Sequence, residues 1–257
     1  MVHKTLLAES DKAKSIDIKI IEHKVNGGPS VARNTALKAV TGDYIFLLDA
    51  DDEYHPGLFS KAEHIFNAYD ASLLFLQFER DIGGRVLPII DGLGSTIHCE
   101  EKNIHAIPNL IAAFGHDSFG MNGSSVVCKR SVLEGLYYQE NLNCFEGLEY
   151  WYRVAKNMQK LDGKAYLLSA IQVTIHLTAN SVSRKLVDNG GEIYLPLQFS
   201  QLRHSPDVDD QRLRKRIYTI WIRNALLKMP RLSQRLRFFW QYRKQVMLNT
   251  YLNLRYC

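Results

Sequence analysis

A short apolar run ending in a cluster of carboxylates constrains this 257-residue chain more than any other feature. Residues 42–53 read Gly-Asp-Tyr-Ile-Phe-Leu-Leu-Asp-Ala-Asp-Asp-Glu. Tyr44 to Leu48 have the character of a strand buried on both faces of a parallel sheet, and Asp49, Asp51 and Asp52 follow at its end. Open α/β sheets bind ligands just beyond the carboxyl ends of their strands. In extended backbone, residues two apart point to the same side, so Asp49 and Asp51 can address one cation. Hard oxygen donors in a small cluster suit Mg2+ or Mn2+, with phosphate oxygens completing the coordination. The plainer alternative is a solvated acidic turn. A calcium loop of the EF-hand kind is excluded, because Tyr54 stands at the sixth position, where Gly is needed, and Ser60 at the twelfth, where Glu is needed.

Upstream, residues 26–43 read Asn-Gly-Gly-Pro-Ser-Val-Ala-Arg-Asn-Thr-Ala-Leu-Lys-Ala-Val-Thr-Gly-Asp. Gly27 and Gly28 form a flexible turn, Pro29 and Ser30 suit a helix start, and Gly42 ends the helix before the strand. A glycine-rich turn opening a helix leaves backbone N–H groups free for an anion. The two segments together resemble the hallmark of the family 2 glycosyltransferases, N-x-G-x-x-x-A-R-N, a helix, then G-[DE]-Y-I-x-x-L-D-x-D-D. The matching residues are Asn26, Gly28, Ala32, Arg33, Asn34, Gly42, Asp43, Tyr44, Ile45, Leu48, Asp49, Asp51 and Asp52. The resemblance implies a GT-A fold, a Rossmann-like α/β arrangement of a mixed sheet flanked by helices. It further implies a nucleotide-diphosphate sugar as donor and a glycan or lipid-linked acceptor. Asn26, Gly28, Arg33, Asn34 and Asp49 would then serve the donor, and Asp49 and Asp51 would hold Mn2+ or Mg2+.

An inverting sugar transfer also needs a carboxylate to take the acceptor proton. In the family this base resembles the Asp of an E-D pair opening a helix that continues into an aromatic residue and an Arg. The matching stretch is Phe145-Glu146-Gly147-Leu148-Glu149-Tyr150-Trp151-Tyr152-Arg153, with Gly147 where the Asp belongs. Glu146, at the helix N-terminus where the dipole favours its anion, is the candidate base. Glu149 lies four residues before Arg153 and is expected to pair with it. Trp151, Val154, Ala155 and Met158 share a helical face and read as core. Residues 174–184 resemble the family's later H…S-x-S loop, which makes His176 a candidate diphosphate or metal contact, with Ser181 and Ser183 behind it. A histidine among apolar neighbours is otherwise more often simply packed. Asn122 or Ser124 is a candidate for bonding a sugar hydroxyl.

Charge is unevenly spread. From Gln211 to Cys257 there are 12 Lys+Arg and no Asp or Glu, leaving 20 basic against 27 acidic groups, or −7, in the rest. Basic residues interleaved with Trp221, Phe238, Phe239 and Trp240 fit either an interfacial membrane anchor or a helical subdomain that packs its aromatics inward. No nucleic-acid motif accompanies the charge. No run reaches the roughly 18 apolar residues of a spanning helix. The N-terminus lacks the apolar core of a signal peptide. Cys99, Cys128, Cys144 and Cys257 show no CxxC spacing, so reduced thiols are expected. The expected location is cytoplasmic, peripheral at the inner membrane face if the tail is interfacial.

Hydrophobic spacing predicts a helix end over 3–14, strands over 16–25, 71–78, 124–129 and 165–175, and helices over 29–40, 56–69, 101–114 and 146–158. Residues 85–90 are expected to pair with 71–78 across Gly83-Gly84. Two or three helices follow. The division is a GT-A-like domain over 1–185 and a basic helical region over 186–257. Family members begin with two further β-α units, which nothing before Asn26 resembles, so the fold reads as N-terminally incomplete. A catalytically inactive remnant or binding module is the alternative function.

Overall fold

In the computed structural model, described for residues 17–142, 144–177, 196–227 and 229–255, one mixed sheet carries helices on both faces. The order of elements is α1 (Gly28–Ala39), β1 (Tyr44–Phe46), β2 (Asp52–Tyr54), α2 (Leu58–Tyr69), β3 (Ala71–Arg80), β4 (Val86–Leu87), β5 (His98–Glu101), β6 (Ile104–Ile107), α3 (Leu110–Gly115), β7 (Val126–Lys129), α4 (Glu146–Lys160) and β8 (Lys164–Ile175). Three helices, α5 (Val208–Leu227), α6 (Leu232–Gln241) and α7 (Arg243–Arg255), close the chain. The eight strands run β1-β7-β3-β8-β6-β5, with β2 on β8 and β4 on β3.

Alternation along the central strands separates two cores. Leu73 and Phe75 of β3 face one way, with Leu167 of β8, toward Trp151 and Val154 of α4 and Leu213 and Ile217 of α5. Leu74, Leu76 and Phe78 face the other way, onto Leu58, Ile65 and Phe66 of α2. Trp151, Val154, Ala155 and Met158 are all buried, as their helical spacing predicts. The Glu149–Arg153 pair is present and bidentate, at 2.6 and 2.9 Å.

Several expectations are corrected. β1 is not flanked by parallel neighbours and is not buried on both faces; it pairs antiparallel with β7, Tyr44 opposite Lys129, and only Ile45 is fully buried. Apolar character fixes burial poorly for a three-residue strand and carries no information on direction. Within 101–114 the expected helix is mostly a hairpin, β5 and β6 turning at Asn103 with φ 68°, and helix begins only at Leu110. Pro108 drives the residue before it into extended backbone, and β6 finds its partner in β8. Of the expected strand over 16–25, the described residues 17–25 have no regular structure, and Ile18, Ile20 and Val25 are 46%, 55% and 79% exposed. A strand without a neighbour leaves its backbone groups to water and has little to hold it. The expected helix over 3–14, Ser181, Ser183 and the expected boundary at 185 lie outside the described residues.

Candidate donor site

The antiparallel register of β1 and β7, Phe46 opposite Val127, sets the chain leaving β1 beside the chain entering β7. Residues 50 and 51 form a turn rather than continuing the strand. The Asp52 N–H donates to the Asp49 carbonyl at 3.0 Å, closing a turn, as Asp-rich segments favour. Asp49 and Asp51 therefore do not share one side of a strand, and β2 starts at Asp52. Ser124, fully buried in a short 3-10 turn, ties this acidic turn down. Its Oγ accepts from the Asp49 N–H at 3.0 Å and donates to Asp52 Oδ2 at 2.5 Å. Ser124, a candidate for a sugar hydroxyl on sequence grounds, is occupied in shaping the turn.

α1 delivers the other half of the site. Its first turn needs glycine: Gly28 has φ 82°, a left-handed backbone that disfavours side chains, and its N–H donates to Asn26 Oδ1 at 2.9 Å. One and a half turns later, Arg33 reaches Asp49, with Nη2 at 2.7 and 2.9 Å from the two carboxylate oxygens. Burial is the largest single effect and opposes the charge on Arg33, but the charge and hydrogen bonds of Asp49, together with Tyr138 and Glu146, raise the guanidinium above the ordinary arginine value. Gly123 lines this pair; a Cβ there would sit 3.7 Å from Arg33 Nη2. The guanidinium also lies 5.4 Å from the centre of the Tyr138 ring, which stacks on Tyr150 at 3.9 Å. Glu146, half-buried at the start of α4, adds its charge to the field at Arg33.

Asn34 points elsewhere. It is 3% exposed, accepts from the Tyr138 N–H at 2.7 Å, and donates to the Tyr138 carbonyl and to Glu140 Oε1, both at 2.9 Å. This side chain clamps α1 to the 138–140 segment.

At the far end of the acidic turn, Asp52 Oδ1 accepts from the His176 N–H at 3.3 Å. Burial lifts Asp52 above the usual carboxylate value, with the charges of Asp49 and Asp51 adding to the shift against the bonds from Ser124 and His176. The His176 ring bonds Asp81 Oδ2 at 3.0 Å, and Glu53 lies 4.0 Å from its other nitrogen. Asp81 sits below the usual carboxylate value, chiefly because the Leu177 N–H donates to it. Arg33, Asp49, Ser124, Asp52, His176 and Asp81 thus form one line of contacts along the sheet's end, with exposed Asp51 beside it. Sequence reasoning missed Asp81, although β3 and β8 are parallel and Asp81 follows β3 as His176 follows β8. Tyr138 and Glu140 carry no local signal at all.

Among the described residues no three His, Cys, Asp or Glu side chains converge in a way that would by themselves hold a metal ion. Asp51 and Asp49 fit the weaker role of one or two carboxylates that share an ion with substrate phosphates and water.

A mixed sheet with a helix N-terminus and an acidic turn meeting at its end defines the class, an α/β fold of the GT-A kind. Residues 5–131 match the family model Glycosyl transferase family 2. The structure is similar to S. aureus TarS 1-349, with a TM-score of 0.62, 14% identity, and coverage of 95% of this chain and 68% of that one. The same protein solved in complex with UDP-GlcNAc gives 0.62, 15%, 95% and 69%, and in complex with UDP 0.59, 16%, 92% and 65%. A stretch of 37 residues is 46% identical to the uncharacterized glycosyltransferase YibD of Escherichia coli (strain K12), covering 14% of this chain and 11% of YibD. The match over residues 5–131 places that segment with glycosyltransferase family 2, and the fold is of the GT-A kind.

Proposed function

We propose that the chain is a metal-dependent, inverting glycosyltransferase that moves a sugar from a nucleotide diphosphate to a cell-surface glycan or lipid-linked acceptor. The observation that carries this reading is the ion pair between Arg33 and Asp49, which joins the two halves of the family motif in one site. The ligands of TarS, UDP-GlcNAc and UDP, favour a uridine diphosphate sugar as donor.

In this reading Asp51 and Asp49 hold Mn2+ or Mg2+, with His176 at the margin of the same acidic line. When bound, the ion supplies charge stabilisation for the departing diphosphate. Arg33, always charged, fixes Asp49 and offers N–H groups to phosphate oxygens. Asn26 and Gly28 shape the start of α1, and Asn34 holds α1 against Tyr138. The acceptor oxygen bonds the anomeric carbon as the carbon–oxygen bond to diphosphate breaks, and its proton passes to Glu146. The basic C-terminal helices meet the membrane surface, which suits a lipid-linked acceptor and a peripheral cytoplasmic location; among the described residues no helix is long and apolar enough to cross a membrane.

Titrating the purified chain with UDP and other nucleoside diphosphates, with and without Mn2+, tests the donor site. Metal-dependent binding that Asp51→Ala abolishes is expected. Donor-dependent transfer unchanged in Asp51→Ala would refute the assignment. Gly147, in place of the family's Asp, favours a second reading as an inactive relative that still binds donor.

A further inference from the structure

Helix α6 turns one side chain inward and the rest outward. Phe238 is 2% exposed and packs against Trp221 and Tyr242. Leu232, Leu236 and Trp240 are 70%, 60% and 75% exposed. Residues four apart share a helical face, so these three make one stripe, and Phe238, two residues from both Leu236 and Trp240, lies on the opposite face. Single exposed apolar residues call for no explanation. A three-residue stripe on a helix whose inner face is already packed does. Arg235 and Arg237 stand one residue to either side of Leu236 and flank the stripe, while the Arg243 guanidinium lies 5.3 Å from the centre of the Trp240 ring. No carboxylate side chain occurs from Gln211 to the end of the sequence.

We propose that this face of α6 docks on an anionic lipid bilayer, with Leu232, Leu236 and Trp240 entering the acyl boundary and the arginines at headgroup level. The proposal deepens the membrane-surface part of the function above and relies on the glycosyltransferase reading only for its purpose, access to a lipid-linked acceptor. Charge decides the occupant. A second copy set face to face would oppose arginines with arginines. A nucleic acid would engage the arginines and leave the stripe in water. A bilayer with anionic headgroups satisfies both.

Trp240 reports on the contact directly, since the other two tryptophans, Trp151 and Trp221, are both 0% exposed. The full chain is mixed with phosphatidylcholine vesicles containing about one part in three phosphatidylglycerol, and with pure phosphatidylcholine vesicles. A blue shift of emission, quenching by brominated acyl chains and co-sedimentation are expected with the anionic vesicles only, weakening as salt rises. Leu236→Glu should cut vesicle binding by tenfold or more. Arg235→Gln and Arg237→Gln should each weaken it roughly fivefold. Circular dichroism and UDP titration of the same variants, without vesicles, should match the parent, so loss of the donor site and loss of this surface are read separately. Vesicle binding that ignores anionic lipid or survives Leu236→Glu would overturn the proposal. So would a dimer that Leu236→Glu dissociates, or duplex DNA bound more tightly than anionic vesicles.

Discussion

Replacing Asn34 separates a donor contact from a clamp. Its three side-chain hydrogen bonds all stay within the protein, and two of them satisfy the backbone of one residue, Tyr138, itself 3% exposed. Asn34→Ala leaves the Tyr138 N–H and carbonyl without partners. A buried polar group left unpaired costs about 1–3 kcal/mol, so the two together are expected to cost roughly 2–6 kcal/mol. That is a large part of the roughly 5–15 kcal/mol typical of a folded domain. Urea unfolding should show it as a lower midpoint at unchanged slope. Asn34→Asp is the sharper variant. One carboxylate oxygen still accepts from the Tyr138 N–H, but the other faces the Tyr138 carbonyl and the Glu140 carboxylate, acceptor against acceptor. It should be at least as destabilising as Asn34→Ala near neutral pH, and should recover as the introduced carboxyl becomes protonated. Loss of under about 0.5 kcal/mol in Asn34→Ala, together with a tenfold fall in UDP affinity, would refute the clamp and make Asn34 a donor ligand.

Other expectations follow from the same contacts. Ser124→Ala deprives the Asp49 N–H of its acceptor and Asp52 Oδ2 of its donor; about 1–3 kcal/mol of stability should be lost, and UDP affinity should fall with it as the acidic turn loosens, read by urea unfolding and calorimetric titration. His105, bonded to Ser169 Oγ at 2.9 Å, is held below the ordinary histidine value by burial. Folding favours its neutral form, so its contribution is complete above about pH 6.5 and fades as pH falls through the lowered value; His105→Gln should flatten the stability–pH curve in that window.

The elements that sequence reasoning identified correctly are those whose information is local. α1 has Gly28 and Pro29 at its start and apolar residues at helical spacing behind them, and α4 has Trp151, Val154, Ala155 and Met158 on one face. What was misread depends on partners. Ile104 and Ile107 lie in an apolar window that suits helix, and they became strand because β8 offers an edge. The alternating isoleucines at 16, 18 and 20 suit strand, yet residues 17–25 found no neighbour to pair with. The site divides the same way. Arg33 and Asp49 were visible as a motif, and the structure adds that they touch. Asn34 belongs to the same motif and the same helix, but its target, the Tyr138 backbone, lies 104 residues away, and no local pattern could announce it.

Gly147 is where sequence and geometry argue most directly about activity. It lies in the first turn of α4, has no positive φ to require glycine, and a Cβ there would meet nothing within 4 Å. Gly147→Asp therefore fits without strain. Glycine inside a helix costs roughly 0.5–1 kcal/mol relative to Ala, and a carboxylate in the first turn gains about 0.3–1 kcal/mol from the dipole, so the variant should be more stable than the parent by up to about 1 kcal/mol. Its effect on transfer discriminates the two functional readings. If Glu146 is the base, the parent is active, Glu146→Gln loses most of that activity, and Gly147→Asp changes it little. If the chain is an inactive relative, the parent transfers nothing, and only Gly147→Asp can gain activity. Transfer by the parent that survives Glu146→Gln would exclude both, and would move the search for the base to another carboxylate of the site.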